Sequence, residues 1–142
     1  MVREAVLLLY LIINSLTDIR KRQICMPCVI CMAVSGVFRV IMEIFGNRFE
    51  WQLFLPLLIG TVMLILSIWT KSAIGMGDAL LLLALGLWMS MEELLIVMLL
   101  GTAGSGIYGA LLLAVCRRKK EDTIPFVPFL LGGYVGGLLL WR

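Results

Sequence analysis

The sequence predicts an all-α polytopic membrane protein with about six transmembrane helices. Hydrophobic residues make up 62% of the chain and charged residues only 15%, and the mean hydropathy is +1.08. Soluble domains are roughly 45–50% apolar and about 25% charged, and a small one could not bury this much apolar surface. In lipid, long apolar runs satisfy their backbone hydrogen bonds by forming helices. We therefore expect a single membrane-embedded domain over residues 1–142.

The apolar runs give the predicted helices. They fall at 4–17, 26–45, 53–70, 79–91, 93–116 and 126–141. Several are shorter than the roughly 20 residues that a perpendicular span needs. The first run is followed by the basic cluster Arg20–Arg22 and has no small-x-small cleavage site, so we interpret it as a retained helix and not as a signal peptide.

The basic residues indicate how the helices are oriented. If 79–116 were one span, Lys71 and the run Arg117–Lys120 would lie on opposite sides of the membrane. A turn at Ser90–Glu93 brings them to one side, together with Arg20–Arg22. Three basic residues remain for the other side, namely Arg3, Arg48 and Arg142. Because basic loops face the cytoplasm, we expect an inner-membrane protein whose two termini lie outside the cytoplasm.

Small residues recur at four-residue intervals in the last two predicted helices. They are Gly101, Ser105 and Gly109, the pair Gly132 and Gly136, and the pair Gly133 and Gly137. This spacing lets transmembrane helices approach closely. A phosphate-binding loop is excluded, because no Lys-Ser or Lys-Thr follows the glycines. We expect these glycines to be packing surfaces.

The cysteines do not predict a metal site. Cys25, Cys28 and Cys31 follow at three-residue intervals, Cys116 stands alone, and the chain has no histidine. A zinc site usually needs two cysteine pairs, or one pair with histidines. We expect the first three cysteines to pack as small apolar residues along a helix, and we predict no metal, no cofactor and no nucleic-acid partner.

Two aspartates at the ends of predicted spans are candidates for chemistry. Asp18 ends the first span and Asp78 begins the fourth, and the six-span topology brings both to the cytoplasmic boundary. Two carboxylates can hydrolyse a peptide without histidine, serine or metal. One acts as general base on a water while the other, protonated, polarises the scissile carbonyl. Close carboxylates share a proton in this way because their like charges repel.

Structural roles are open for the same acids. Asp78 could be a helix N-cap, and Asp18 could balance Arg20–Arg22 at the interface. Arg39 and Glu43 lie four residues apart, which predicts an ion pair within the second span. The pair Glu92–Glu93 is most simply a solvated turn.

Three segments resemble the motifs of one family, the type IV prepilin peptidases. Gly75-Met76-Gly77-Asp78 resembles the GxGD signature that this family shares with presenilin-type proteases. The segment 17–24, Thr-Asp-Ile-Arg-Lys-Arg-Gln-Ile, resembles the family's first aspartate motif. The segment 124–130, Ile-Pro-Phe-Val-Pro-Phe-Leu, resembles its Pro-Phe-Gly-Pro-Phe-Leu stretch. All three follow the family's order.

The resemblance implies an intramembrane aspartyl endopeptidase formed by a single peptidase domain. It assigns Asp18 and Asp78 as the catalytic aspartates, and Gly75 and Gly77 as the residues that shape the substrate-binding loop. The implied substrate is a prepilin, pseudopilin or pilin-like precursor in the lipid bilayer, whose basic leader is cleaved at the cytoplasmic face.

The chain departs from the family pattern at two positions. Cys25 stands where a proline is expected after Ile24, with Pro27 two residues further on, and Val127 replaces the glycine of the late motif. Nothing corresponds to the N-terminal region that larger members carry and that is linked to N-methylation. We therefore expect peptidase activity without methyltransferase activity.

Two other functions are open at this stage. A small ion-coupled transporter would use intramembrane carboxylates, although it would also be expected to have polar residues throughout its spans or paired broken helices. A non-catalytic pilin-assembly membrane protein would bind pilin-like helices through the glycine faces.

Overall fold

The computed structural model describes residues 2–46, 51–70, 75–116 and 125–140, and every regular element within them is a helix. The chain forms α1 (Val2–Lys21), α2 (Met26–Phe45), α3 (Leu55–Trp69), α4 (Met76–Gly86), α5 (Met91–Cys116) and α6 (Val127–Leu140), with a one-turn 3₁₀-helix at Trp51–Leu53 before α3. The all-α prediction and the order of six helices are confirmed.

The helices have the length and composition of a membrane protein. Three segments are long and apolar enough to cross a bilayer, namely Met26–Phe45, Trp51–Trp69 and Met91–Leu112, while α4 and α6 are shorter apolar helices. Large apolar side chains cover the outside, among them Phe38, Ile65 and Leu99. Lipid is the solvent that suits such a surface. The protein is a polytopic membrane protein.

A turn separates α4 from α5, as the charge distribution predicted. Ser90 and Glu93 form a reciprocal capping box at the start of α5. The Glu93 N–H donates to Ser90 Oγ at 3.3 Å, and the Ser90 N–H donates to Glu93 Oε2 at 3.0 Å. Glu93 therefore caps the helix together with Ser90, and the expectation of a plain solvated turn is wrong for it, whereas Glu92 is exposed.

Arg39 completes the other side of this turn. Its guanidinium donates to the carbonyls of Leu87 at 3.3 Å and Trp88 at 3.0 Å, just after α4 ends. It also pairs with Glu43 at 2.9 Å, which confirms the predicted ion pair. Carbonyls at a helix end lack partners in the helix itself, and lipid supplies none. Arg39 thereby permits α4 to end after only a few turns.

Close helix packing depends on some of the predicted glycines. A Cβ on Gly101 would lie 3.2 Å from Leu130 Cα, and one on Gly133 would lie 2.6 Å from the Val97 carbonyl oxygen. These two glycines let α5 and α6 approach, as predicted. The prediction is wrong for Gly132, which has nothing within 4 Å of the corresponding point, because it lies on a different face of α6.

The described ion pairs and hydrogen bonds define two ends of the bundle. Arg3 pairs with Glu93, so the N-termini of α1 and α5 lie at one end. Asp18, near the C-terminus of α1, contacts the N-terminus of α6 at the other end. Orientation relative to the cytoplasm stays a prediction. Several basic residues used for it lie outside the described residues, namely Arg48, Lys71, Arg117–Lys120 and Arg142.

Candidate active site

The first aspartate lies on the buried face of α1. Polar and apolar residues share this face, namely Leu7, Tyr10, Leu11, Asn14, Ser15 and Asp18. Asp18 is only 8% exposed, and its Oδ2 accepts a hydrogen bond from the Val127 N–H at 3.1 Å. Since Val127 is the first residue of α6, the carboxylate also lies at the positive end of that helix. The late motif therefore contacts the first aspartate motif directly.

The second aspartate lies in the first turn of α4. Gly75 is the N-cap residue and Asp78 follows three positions later, so the N-cap interpretation of Asp78 is wrong. A Cβ on Gly75 would lie 2.7 Å from Asp78 Oδ2. A side chain at position 75 would thus occupy the space of the carboxylate, which explains why a glycine stands there.

Both aspartates open onto one cavity of about 380 Å³. It is lined by Asp18, Arg22, Gln23, Ile24, Met26, Gly75, Gly77 and Asp78. Asp18 and Asp78 are close enough for their charges to act on each other. The structure thus brings together all four site residues predicted from the sequence, and their catalytic and binding roles stay predictions.

The turn between α1 and α2 forms one wall of the cavity. Arg22 has a left-handed backbone (φ 51°), and its N–H donates to the Asp18 carbonyl at 2.9 Å, which ends α1. Ile24 then packs against α4, where a Cβ on Gly77 would lie 2.9 Å from Ile24 Cδ1. Sequence reasoning did not single out Ile24, although it belongs to the first aspartate motif.

A buried asparagine fixes this turn. Asn14 is fully buried, its Oδ1 accepts from the Cys25 N–H at 3.2 Å, and its Nδ2 donates to the Tyr10 carbonyl at 3.0 Å. A buried amide with its hydrogen bonds satisfied holds its neighbours rigidly. Asn14 was not predicted as a site residue. The available signal was a polar side chain one helical turn before Asp18, within an apolar run.

The first three cysteines lie at the start of α2, with Cys25 as its N-cap residue. Cys25 and Cys28 contact each other with their sulfurs 3.2 Å apart, while Cys31 lies on an exposed face of the helix. Within the described ranges, no group of three cysteine or carboxylate side chains could hold a metal ion.

Comparison with known protein families covers the part of the chain that forms the cavity. The model of the type IV leader peptidase family matches residues 5–110, a range that contains both aspartates and both glycines. The chain belongs to the type IV leader peptidase family. The resemblance predicted from the motifs is therefore confirmed. The match to the family ends before Val127, so the contact of α6 with Asp18 lies outside it.

Curated relatives match over part of their length. A prepilin leader peptidase/N-methyltransferase of Aeromonas salmonicida is 38% identical over 72 residues, which cover 50% of this chain and 24% of the relative. The protein of that name from Xanthomonas campestris pv. campestris is 31% identical over 91 residues, covering 56% of this chain and 32% of the relative. The chain therefore spans about a quarter to a third of these relatives. No solved structure matches the chain.

Proposed function

We propose that the protein is an intramembrane aspartyl endopeptidase that removes the leader peptide from prepilin, pseudopilin or pilin-like precursors. One observation carries the proposal. Asp18 and Asp78, from two helices far apart in the sequence, line the same cavity beside Gly75 and Gly77. Family membership and relatives named prepilin leader peptidases support it.

Hydrolysis would use the two carboxylates in complementary protonation states. The ionised aspartate accepts a proton from a water as that water attacks the scissile carbonyl, and the protonated aspartate donates to the carbonyl oxygen. The aspartate that took the proton from water then gives it to the leaving amine as the C–N bond breaks. The hydroxyl formed from the carbonyl oxygen returns its proton to the other aspartate, and the pair regains its starting state. Val127 supports this chemistry by holding the Asp18 carboxylate in one orientation.

The glycines leave room for a substrate backbone beside the carboxylates. Gly75 and Gly77 line the cavity, and glycine permits the closest approach of another chain. Ile24 and Met26 are apolar residues of the same lining. This combination suits a precursor in which the cleavage site precedes an apolar helix.

The charge around the cavity favours a cytoplasmic active site in the inner membrane. Arg20 and Lys21 end α1 next to Asp18, and Arg22 lines the cavity itself. Basic residues beside a membrane span remain on the cytoplasmic side.

Cleavage by purified protein in liposomes tests the proposal. Pilin-like precursors with basic leaders are incubated with the natural protein and with the Asp18→Asn and Asp78→Asn variants. Glu92→Gln is the matched control, because Glu92 is an exposed carboxylate in the first turn of α5. Mass spectrometry of the products locates the cleaved bond, and circular dichroism checks that all four proteins are folded.

We expect cleavage at a single bond by the natural protein and by Glu92→Gln. Both aspartate variants should lose at least about a thousandfold in rate, because loss of either half of a catalytic pair removes most of the catalysis. Cleavage at the natural rate by either aspartate variant would refute the dyad. Failure of the folded natural protein to cleave any precursor would count against the peptidase itself.

A further inference from the structure

Two thiols lie side by side in the turn that forms the cavity wall. Cys25 is the N-cap residue of α2, and Cys28 lies in the first turn of that helix. Their sulfurs are 3.2 Å apart, which is a thiol–thiol contact. A disulfide has a sulfur–sulfur distance of about 2.0 Å. The two sulfurs are therefore in contact but not bonded, and only a short movement separates them from a disulfide.

Cys25 has the surroundings of a reactive thiol. The backbone N–H of Cys28, the adjacent Cys28 thiol and the positive charge of Lys21 hold the pKa of Cys25 below its ordinary value. The thiolate is the form that attacks disulfides. Cys25 is also only partly buried, so a small reagent can reach it.

We propose that Cys25 and Cys28 are a redox-active dithiol that closes to a disulfide by exchange with a low-molecular-weight disulfide. The Cys25 thiolate attacks one sulfur of that reagent, forms a mixed disulfide and releases one thiolate. Cys28 loses its proton to solvent, attacks the Cys25 sulfur and releases the second thiolate. The protein loses two electrons, which reduce the external disulfide to two thiols.

Oxidation would reshape the cavity, and this consequence rests on the proposed peptidase function. Ile24 and Met26 flank Cys25 on either side, and both line the cavity. The Cys25 N–H is meanwhile tied to Asn14. Drawing the Cys25 sulfur onto Cys28 therefore shifts this wall of the cavity, and we expect cleavage by the oxidised protein to slow by about tenfold.

The dithiol is tested by equilibrating reduced protein in liposomes with buffers of oxidised and reduced glutathione. Acid stops the exchange, free thiols are alkylated, and trypsin then cuts after Arg22 and Arg39 to release one peptide that contains Cys25, Cys28 and Cys31. In the oxidised sample we expect this peptide to be lighter by two hydrogens, because Cys25 and Cys28 form a disulfide. Cys31 should then be the alkylated cysteine of the peptide. Cys31→Ser should behave like the natural protein. Cys28→Ser should instead retain glutathione on Cys25, because the second attack is lost, and Cys25→Ser should be modified more slowly because the attacking thiolate is absent.

Two results would overturn the dithiol. One is the absence of the Cys25–Cys28 disulfide in the most oxidising buffer, and the other is equal glutathione modification of Cys25, Cys28 and Cys31. Cleavage is measured on the same samples, with a Cys25→Ser/Cys28→Ser double variant as the control. If disulfide formation left the cleavage rate unchanged, the proposed effect on the cavity would be overturned and the dithiol would not. Absence of cleavage in the reduced protein would count against the proposed function and leave the disulfide measurement valid.

Discussion

The carboxylate of Asp18 accepts a hydrogen bond from the backbone N–H of Val127, a residue 109 positions later in the chain. The contact joins the C-terminal end of α1 to the N-terminus of α6 at 3.1 Å, and both residues are buried. A helix N-terminus offers unpaired N–H groups and a positive partial charge to an acidic side chain. The start of α6 thereby fixes the orientation of the first aspartate.

A proline at position 127 should weaken catalysis by removing this N–H. Proline is tolerated at the first position of a helix, so Val127→Pro deletes the donor with little disturbance of α6. A hydrogen bond to a charged group contributes about 1.5–3 kcal/mol. If that orientation is needed at the transition state, cleavage should fall by about ten- to a hundredfold, which steady-state rates in liposomes measure.

Val127→Ala is the control for the loss of side-chain volume. It keeps the N–H and removes methyl groups from a fully buried position. Thermal unfolding in detergent should show both variants destabilised, with Val127→Ala retaining most of the cleavage rate. Equal rates for Val127→Pro and Val127→Ala would mean that the N–H does not orient the carboxylate in catalysis.

Gly75→Ala should displace the second carboxylate. The added methyl would lie 2.7 Å from Asp78 Oδ2, closer than the atoms can approach, so the carboxylate must rotate away. A misplacement of about 1 Å at a reacting group can reduce the rate by about a hundredfold. The matched control is Gly132→Ala, which has nothing within 4 Å of its new methyl. We expect the control to cleave normally, and comparable losses in both variants would refute the explanation.

Gly77→Ala should act through the wall of the cavity, and a second substitution should reverse part of its effect. The new methyl would lie 2.9 Å from Ile24 Cδ1, and Ile24→Val removes that atom. A double-mutant cycle on the cleavage rate measures the coupling. We expect the double variant to be several-fold faster than Gly77→Ala alone. Purely additive effects would show that the two residues do not compete for space in the active protein.

The sequence predicted the elements well because lipid makes apolar runs and charge distribution informative. A turn between the fourth and fifth helices followed from the basic residues alone, although it lies at 87–90 and not at the predicted Ser90–Glu93. Both aspartates were recognised from motifs. The partners of these residues depend on tertiary contacts and could not be predicted. No local pattern indicates that Val127 donates to Asp18, or that Arg22 adopts a left-handed conformation. The spacing of Gly132 and Gly133 likewise does not tell which of them faces α5.

Arg39 should be important for stability although it lies far from the cavity in the fold. Replacing it with methionine leaves the carbonyls of Leu87 and Trp88 and the carboxylate of Glu43 without their shared donor. Removing one partner from a partly buried polar network costs about 2–4 kcal/mol. Unfolding of the protein in mixed micelles measures the loss. Arg39→Lys keeps the positive charge but lacks the planar guanidinium group. Its stability should therefore lie between that of the natural protein and that of Arg39→Met. If Arg39→Met were as stable as the natural protein, water or other groups would have to replace these hydrogen bonds.

Two adjacent acids at the start of α5 should differ sharply in their effect on stability. Glu93→Ala removes one half of the capping box with Ser90 and the ion pair with Arg3, whereas Glu92 is exposed. Loss of a cap costs about 0.5–2 kcal/mol. The ion pair adds less than about 1 kcal/mol, because the Arg3 side chain is 42% exposed. We therefore expect Glu93→Ala to destabilise the protein most, Arg3→Gln less, and Glu92→Ala not measurably.

Unfolding in mixed micelles ranks the three variants. Equal destabilisation by Glu92→Ala and Glu93→Ala would mean that the negative charge near the helix N-terminus, and not the specific cap, stabilises the turn.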